Sequence, residues 1–383
     1  MELQKKIDST FESRFGGHGA VYASAGRINL IGEHTDYNGG FVFPGAIDKV
    51  IMAEIRPNDT DTVRVFSIDI DEYTEFGLNE ADAPKQSWAR YIFGVCREIL
   101  KRGGNVHGFD AVFAGNVPLG AGLSSSAALE SCFAFAINDL FNNNQIDKFE
   151  LARIGQSTEH NYCGVNCGIM DQFASVMGKA GHLMRLDCRS MEFEYFPFCP
   201  ENHSLVLIDS RVKHELADSP YNKRRASCER VAKRLGIETL RDADMDMLNA
   251  IKTDITAEDY FRAKFVIEEK ERVLTVCDAL VNGDYETVGR CMYETHAGLS
   301  KDYEVSCEEL DYLNDVAREC GVTGSRIMGG GFGGCTINLV ENDKMDKFVE
   351  EAKKRFNEKY GHEPKVYPVV ISDGAHKVCE ATH

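Results

Sequence analysis

The stretch Pro118-Leu-Gly-Ala-Gly-Leu-Ser-Ser-Ser-Ala-Ala-Leu-Glu130 combines two glycines with three consecutive serines. It follows a strand-like run at residues 107–115 and opens an apolar helix predicted to reach about Phe141. Glycines let backbone N–H groups approach a phosphate closely, and a helix start supplies free donors and the positive end of the helix dipole. The pattern therefore favours a phosphate-binding loop, and the alternative is an ordinary helix start capped by serine.

Commoner phosphate and nucleophile motifs do not fit this loop. A Walker loop needs Lys before the Ser or Thr, and Leu123 stands at that position. A dinucleotide fingerprint needs a third glycine, where this chain has Ser125. The loop contains no Gly-x-Ser-x-Gly, so a hydrolase nucleophile elbow is excluded as well. The stretch is thus predicted to be a phosphate loop of another class.

Length, charge and cysteine content narrow the class of protein. At 383 residues the chain is long for one core, so two domains are expected. The formal net charge of −18 argues against nucleic acid or an anionic membrane as a main partner. No uninterrupted apolar run approaches the length of a membrane span. Thirteen cysteines, an odd number scattered mostly in apolar segments, indicate reduced thiols and a cytoplasmic protein.

A second polar stretch lies at residues 26–40, where Arg27, Glu33, His34 and Asp36 share a glycine-bounded loop after a short strand expected at residues 21–25. Carboxylates, an imidazole and a guanidinium close together in a loop are typical of a functional site. The spacing is not the His-Glu-x-x-His of a catalytic zinc helix. We therefore expect acceptors for the adjacent hydroxyls of a sugar, and the alternative is a surface turn with solvated charges.

Two further segments need a tertiary partner. Asp171 follows a glycine turn in an apolar setting, where a carboxylate is unusual unless it is paired, and Arg27 is the candidate partner. The alternative role for Asp171 is a helix cap. Residues 329–334 formally match Gly-x-Gly-x-x-Gly, but they precede a strand instead of opening a helix. They are predicted to form a close-packed loop against a ligand or another loop.

Taken together, these segments resemble the GHMP small-molecule kinases, and among them the galactokinase branch. The agreement in order and spacing covers residues 26–40, 118–129 and 329–334, and it extends to residues 167–173 and 302–306. The first segment is specific to that branch, and the resemblance covers nearly the whole chain. It implies an ATP-dependent sugar kinase that transfers the γ-phosphate of ATP to the anomeric hydroxyl of D-galactose.

The resemblance also implies an α/β (α+β) fold of two lobes with the active site between them. Residues 1–195 would form the N-terminal GHMP kinase lobe, with a βαβ unit of left-handed crossover. Residues 196–383 would form a ferredoxin-like C-terminal lobe. The left-handed unit is an exception to the usual rule, and the residues alone do not indicate it. A monomer that takes galactose and Mg-ATP as its substrates is expected.

Roles for individual residues follow from the same resemblance. Asp171 would be the catalytic base, with Arg27 as its partner beside the reacting hydroxyl. Mg²⁺ would be held by Ser126 and Glu159. The residues implied to bind galactose are Glu33, His34, Asp36, Gly168 and Tyr221. Those implied to bind the phosphates of ATP are Gly120, Gly122, Leu123, Ser124, Ser125, Ser126 and Ala127.

Two alternative functions share most of these motifs. A galactokinase-like sensor, which binds galactose and ATP without turnover, would be expected to lose residues in the serine-alanine part of the phosphate loop. That part is intact here at residues 124–128. A kinase for N-acetylgalactosamine or arabinose would keep the chemistry and change the sugar. The sequence leaves this second alternative open, because it does not give the pocket volume near C2 of the sugar.

Overall fold

The computed structural model describes residues 2–118, 120–212 and 220–378, without the side chains of Pro220 and Tyr221. Its α-helices are α1 Glu2–Phe15, α2 Ser87–Lys101, α3 Ser125–Asn142, α4 Lys148–Thr158, α5 Met170–Met177, α6 Pro220–Leu235, α7 Met245–Ala250, α8 Ala257–Val281, α9 Tyr285–Lys301, α10 Glu308–Glu319 and α11 Met345–Tyr360. Its strands are β1 Ala20–Asn29, β2 Phe41–Val42, β3 Pro44–Pro57, β4 Thr62–Ser67, β5 Glu72–Gly77, β6 Phe109–Gly115, β7 His182–Asp187, β8 Phe193–Pro197, β9 His203–Asp209, β10 Gly324–Ile327, β11 Cys335–Glu341, β12 Lys365–Val369 and β13 His376–Lys377. Short 3-10 turns lie at Asp36–Asn38, Leu240–Asp242 and Asn342–Lys344, and a π-helical turn, Glu159–Cys163, follows α4.

The first lobe is organised by a six-stranded sheet with the order β13-β1-β3-β6-β4-β5. β4 and β6 pair in parallel and are connected through β5 and α2, whereas the other neighbours are antiparallel. A parallel pair requires such a crossover, because a tight turn cannot join its strands. In β4 the alternate residues Val63 and Val65 are fully buried, as expected for a strand with one covered face.

Helices α3 and α5 pack on β1 and β3, and this packing sets the position of the candidate site. The apolar helix predicted after the phosphate loop is α3, and it buries Ala127, Ala128, Phe133 and Ile137 completely. Small residues in its first turn allow a close approach to the sheet. The starts of α3 and α5 are therefore brought together beside β1.

The second lobe contains a four-stranded antiparallel sheet with the order β10-β11-β9-β12. An apolar cluster joins this sheet to α10 and α11 through Val206, Ile208, Leu313 and Phe348. A smaller sheet, β2-β7-β8, contacts α8 of the second lobe. The largest apolar core continues from the first sheet into β9 and β11, so the two lobes share one hydrophobic interior.

The predicted two-lobed α/β fold is confirmed, and the antiparallel sheet with its helices fits a ferredoxin-like layer. The hand of the β4–β6 crossover and the lobe boundary at residues 195–196 stay predictions. Because β13 pairs with β1 and Ile371 bridges to Ile47, we propose that residues 371–378 belong with the first lobe. None of the helices in the described ranges combines the length and apolar character needed to cross a membrane.

One local prediction was wrong in its bounds, and one helix ends in an irregular turn. The strand expected at residues 21–25 runs from Ala20 to Asn29, so Arg27 lies on a strand and not in the following loop. A register shift between Ala25 and Arg27 marks a β-bulge, a feature that redirects side chains. Helix α4 ends at Thr158, and the helical run continues as the π-helical turn that carries Glu159. Such turns are frequent at functional sites.

Candidate active site at the junction of the two lobes

The phosphate loop ends at Ser124, which has a left-handed backbone conformation (φ 55°) immediately before α3. Among the described residues its side chain makes no capping hydrogen bond to that helix, which argues against the ordinary-cap alternative. The hydroxyl of Ser124 donates instead to Oδ2 of Asp171. Because Ser124 is turned away from the helix start, the N–H groups of the first turn, at Ser125, Ser126 and Ala127, are suited to an anion.

Two glycine loops meet at this point. Gly122 has a positive φ of 76°, and a Cβ placed on it would lie 3.4 Å from the carbonyl oxygen of Met328. On the other side, a Cβ placed on Gly334 would lie 3.7 Å from the carbonyl carbon of Ala121 and 3.9 Å from the backbone nitrogen of Gly122. Residues 329–334 therefore pack against the phosphate loop, which confirms the prediction of a close-packed loop. The contact joins the second lobe to the candidate phosphate site.

Arg27 and Asp171 form a two-point ion pair beside the phosphate loop, with Nε–Oδ1 and Nη2–Oδ2 distances of 2.9 Å each. Nη1 of Arg27 also donates to the carbonyl of Gly122, and its backbone N–H donates to the carbonyl of Leu123 at 3.1 Å. Leu123 itself is buried, so the backbone is the part of this residue that faces the site. The predicted pairing of the two charges is confirmed, and Asp171 is not a helix cap, since Ile169 occupies the N-cap position of α5.

Exposure differs within this pair. The side chain of Arg27 is 6% exposed, whereas that of Asp171 keeps 28% of its surface exposed. Arg27 is thus fixed by its backbone neighbours and holds the carboxylate in a defined orientation. Asp171 can contact a ligand while both of its oxygens remain hydrogen-bonded.

Ser126 and Glu159 lie together next to this pair. The side chains of Ser126 and Cys167 lie close to the buried carboxylate of Glu159 and favour its ionised form. Burial raises the pKa of Glu159, the Ser126 hydroxyl opposes that shift, and the nearby charge of Asp171 adds to it. A hydroxyl beside a carboxylate in a negative environment is a donor set that suits Mg²⁺.

A pre-formed metal cage is not part of this site. Within the described ranges, no group of three or more His, Cys, Asp or Glu side chains is arranged to hold a metal ion. Mg²⁺ in kinases is commonly bound by one or two protein oxygens together with phosphates and waters. Ser126 and Glu159 would supply such protein oxygens, and their role as Mg²⁺ ligands stays a prediction.

Glu130 and Gln172 form a buried layer behind Glu159 that the sequence did not indicate. Nε2 of Gln172 lies 3.2 Å from Oε2 of Glu130 and 3.5 Å from Oε1 of Glu159. Burial raises the pKa of Glu130 well above its usual range, and the charge of Glu159 adds to the effect. A charged residue type inside the apolar helix α3 was the available signal for Glu130.

Asp36 and Gly168 are in contact. Both belong to the set of residues that the resemblance implies to bind galactose. A Cβ on Gly168 would lie only 1.8 Å from Oδ2 of Asp36, so the absence of a side chain at 168 makes room for the carboxylate. Burial raises the pKa of Asp36 to about 6, and the charges of Asp171 and Glu33 contribute to the increase. The loop of residues 29–40 that follows β1, which we name the sugar loop after its predicted ligand, thus shares one electrostatic environment with the Arg27–Asp171 pair.

His34 lies in the same loop with a left-handed backbone (φ 61°) and a buried ring. Its Nδ1 is 2.9 Å from the hydroxyl of Tyr37, which in turn is 2.7 Å from the hydroxyl of Tyr303. Burial lowers the pKa of His34 to about 3, so the ring is neutral near pH 7. Tyr303 belongs to the segment 302–306 that the resemblance included without a role, and Tyr37 was not predicted.

Glu33 connects the sugar loop with the second lobe. Its Oε1 accepts from Nη2 of Arg326 at 3.1 Å and from the backbone N–H of Gly329 at 2.9 Å. Arg326 was not predicted, and the available signal was that it is the single charged residue between Gly321 and Gly329. The side chain of Tyr221, the remaining predicted sugar residue, lies outside the described residues.

Comparison with known families agrees with this geometry. The sequence matches the GHMP kinases N terminal domain over residues 90–179, the galactokinase galactose-binding signature over residues 9–57 and the GHMP kinases C terminal domain over residues 277–358. The first match contains the phosphate loop and Asp171, the second contains the sugar loop, and the third contains the glycine loop at 329–334. All three polar regions of the site therefore lie within matched segments.

Individual relatives cover nearly the full chain. The curated galactokinase of Clostridium acetobutylicum is 39% identical over 99% of this chain and 100% of its own length. That of Fusobacterium nucleatum is 41% identical over 95% and 96%. The similarity is thus not confined to the motifs.

Solved structures give the same assignment. The Lactococcus lactis galactokinase complexed with galactose superposes with a TM-score of 0.93, at 32% identity, over 99% of this chain and 100% of the other. A mevalonate kinase from Methanococcus jannaschii shares the fold, with a TM-score of 0.67 at 19% identity over 94% of this chain and 100% of the other. This chain belongs to the galactokinase family of the GHMP kinases.

Proposed function

We propose that this chain transfers the γ-phosphate of ATP to the anomeric hydroxyl of D-galactose, giving galactose 1-phosphate and ADP. The observation that carries the proposal is the Arg27–Asp171 pair, which touches the phosphate loop through Gly122 and Ser124. The same carboxylate contributes to the raised pKa of Asp36 in the sugar loop. A group able to accept a proton therefore lies where a nucleotide loop and a sugar loop meet.

In the proposed reaction the anomeric oxygen attacks the γ-phosphorus while the bond from that phosphorus to the bridging oxygen of ADP breaks. Asp171 accepts the hydroxyl proton at a carboxylate oxygen. Arg27 faces Asp171 and the phosphate loop together, so its charge offsets negative charge that develops during transfer. Positioning and charge neutralisation are the main requirements of phosphoryl transfer, and the buried, multiply bonded Arg27 meets both.

The start of α3 is the proposed cradle for the phosphates. Gly120, Gly122, Leu123, Ser124, Ser125, Ser126 and Ala127 are assigned to it. Their backbone N–H groups and the positive end of the helix dipole supply donors without desolvating a charged side chain. The packing of residues 329–334 on this loop supports the assignment, because it restricts the loop from the second lobe.

Ser126 and Glu159 are the residues that we propose to hold Mg²⁺. When bound, the ion neutralises charge on the β- and γ-phosphates. The contribution of the chain itself is to keep Glu159 in place through the side chains of Ser126, Cys167 and Gln172. Burial and neighbouring carboxylates raise the pKa of the Cys167 thiol, so it serves as a hydrogen-bond donor and not as a thiolate.

For the sugar, we propose Glu33, His34, Asp36, Gly168 and Tyr221 as the contacting residues. Buried carboxylates and a neutral imidazole can discriminate hydroxyl positions sharply, because a sugar with the wrong geometry leaves them unpaired. The Lactococcus lactis galactokinase was crystallised with galactose bound, and its similarity to this chain supports galactose over other sugars. A monomer in the cytoplasm remains the proposed state, and the free thiols found among the described cysteines fit a reducing compartment.

The test is a coupled ADP-release assay with Mg-ATP and, separately, galactose, glucose, N-acetylgalactosamine and arabinose, with NMR analysis of the product. Galactose is expected to give the highest kcat/KM and a product phosphorylated at the anomeric carbon. Preference for another sugar would show that the proposed substrate is wrong, and the proposed reaction class, phosphoryl transfer from ATP to a sugar, would stand. Saturable galactose binding without ADP release above the sugar-free control would favour a sensor instead.

A further inference from the structure

The beginning of the sugar loop, residues 29–33, is held by a buried arginine of the second lobe. Arg326 in β10 has no exposed surface. Its guanidinium donates to the carbonyls of Asn29 and Leu30, the latter at 2.8 Å, and to Oε1 of Glu33 at 3.1 Å. A fourth donation, to the carbonyl of Ile327, ties the same group to its own strand.

A buried carboxylate of the second lobe holds the same segment from its amide side. Glu269 in α8 is also fully buried. Its Oε1 accepts from the backbone N–H groups of Gly32 at 2.8 Å and Glu33 at 3.3 Å. Its Oε2 accepts from Thr295 at 2.6 Å and from Nε of Arg272 at 2.8 Å.

The two contacts are complementary. Arg326 satisfies carbonyl oxygens of the segment, and Glu269 satisfies its N–H groups, so the backbone is bonded on both polar sides by charged groups. Hydrogen bonds to charged, buried groups are stronger than neutral ones and define a geometry closely. The next residue is His34, whose left-handed backbone is maintained only if the surrounding structure fixes it.

We propose that Arg326 and Glu269 are positioning residues that set the affinity for galactose by fixing the backbone of residues 29–33 and thereby the side chains of Glu33, His34 and Asp36. This inference rests on the proposed function. Neither residue is required to touch the sugar or the nucleotide. Loosening either contact therefore weakens galactose binding and leaves ATP binding nearly unchanged.

A purely structural role would look different, and helix α8 offers a matched control. Asp259 is a buried carboxylate on the same helix, paired with Arg230 at 2.6 Å within the second lobe. Asp259→Asn and Glu269→Gln both remove one buried negative charge while keeping the side-chain shape. A general loss of stability would affect both variants. A positioning role predicts weaker galactose binding in Glu269→Gln, because Glu269 contacts the sugar loop.

The experiment compares wild type, Glu269→Gln and Asp259→Asn by calorimetric titration with galactose in the absence of nucleotide, with KM for ATP as the second readout. Glu269→Gln is expected to weaken galactose binding at least about tenfold, since a charge-assisted contact is lost. Asp259→Asn is expected to stay within about twofold of wild type for both ligands. Hydrogen exchange of the amides of Gly32 and Glu33 should accelerate in Glu269→Gln alone.

Two further variants keep the test decisive. Arg326→Lys retains the charge and loses the forked geometry, so it should weaken galactose binding in the same direction. If Glu269→Gln does not fold, Thr295→Val removes one donor to Glu269 and should give a smaller loss of galactose affinity. If the wild-type chain binds galactose and the variants bind it equally well, this inference is overturned and the proposed function is not. A folded wild-type chain that does not bind galactose would overturn the proposed function and this inference with it.

Discussion

The phosphate loop and the sugar loop both follow a strand of the first sheet, and the structure supports them in different ways. The phosphate loop is held mainly by the first lobe, through Arg27 on β1 and the start of α3. The sugar loop receives charged and aromatic side chains from the second lobe, namely Arg326, Glu269 and Tyr303. With the proposed roles, the reacting groups are thus placed by neighbouring elements of one lobe, whereas the proposed sugar-binding residues depend on contacts between the two lobes. Changes at the phosphate loop should alter kcat, and changes at the sugar loop should alter KM for galactose.

The largest effect is expected for Asp171→Asn on the phosphate side. Asparagine keeps the shape and cannot accept the hydroxyl proton, so kcat should fall by about 10²–10⁴-fold. Galactose binding without nucleotide should change little. Steady-state kinetics together with calorimetry would measure both. A folded variant with kcat near wild type would remove Asp171 from the role of base.

On the sugar side, Gly168→Ala should raise KM for galactose about tenfold or more, with a small change in KM for ATP. The added Cβ would lie 1.8 Å from Oδ2 of Asp36, and the carboxylate must therefore move. Because the displaced group is a side chain and not backbone, the fold should be retained. Equal increases of both KM values would contradict the division between the two loops.

The third prediction concerns pH. The pKa of Asp36 is raised to about 6, chiefly by burial, so lowering the pH from 7.5 to 5.5 should protonate it. KM for galactose is then expected to rise by roughly fivefold, because the ionised acceptor is lost. The comparison is Asp36→Asn, whose KM should be high and nearly independent of pH in this window. A wild-type KM that stays constant down to pH 5.5 would separate Asp36 from sugar binding.

The raised pKa of Asp36 also lowers the free energy of unfolding above pH 6. A folded-state pKa above the unfolded value means that folded Asp36 binds its proton more tightly, so its ionisation above pH 6 costs stability. Asp36→Asn should therefore be more stable than wild type at pH 7.5, by about 1–2 kcal/mol. This difference in stability between Asp36→Asn and wild type should disappear near pH 4, where folded Asp36 is protonated. Chemical denaturation at both pH values, without galactose, measures it.

The smallest effect is expected for Ser124→Gly on the phosphate side. The change removes the hydroxyl that donates to Asp171 and relieves a left-handed backbone at φ 55°. Turnover should fall only about two- to fivefold, since Arg27 still holds the carboxylate. The melting temperature should stay the same or rise slightly, because glycine adopts positive φ readily. A large loss of kcat would assign Ser124 a greater part in the reaction.

Much of the site could be predicted from the sequence, because the informative residues lie in short segments. The glycines and serines before an apolar helix predicted the phosphate loop, and α3 begins one residue after Ser124. The apolar setting of Asp171 predicted a charged partner, and Arg27 is that partner. The resemblance added the pair Ser126 and Glu159, whose side chains lie close together in the structure.

Other features were beyond local patterns. Arg27 was assigned to a loop, because a β-bulge inside β1 has no clear sequence signature. Glu130 and Gln172 were missed, since their contact depends on the packing of α3 against α5. The contact of Asp36 with Gly168 joins two segments more than a hundred residues apart, and only the folded chain brings them together.

By itself, the sequence determined the family-level fold, the phosphate loop, the acidic and basic residue types of the sugar loop and the pairing of Asp171 with an arginine. The fold followed from the resemblance of several short motifs to one family. The other features follow from rules that act over a few residues, such as helix starts, glycine conformations and the need to pair a charge in an apolar setting. The tertiary structure decided how the sugar loop is held and which buried groups lie behind Glu159. Arg326 and Glu269 act across 293 and 237 residues of sequence. Contacts of that range are set by the packing of the two lobes, and no local pattern specifies them.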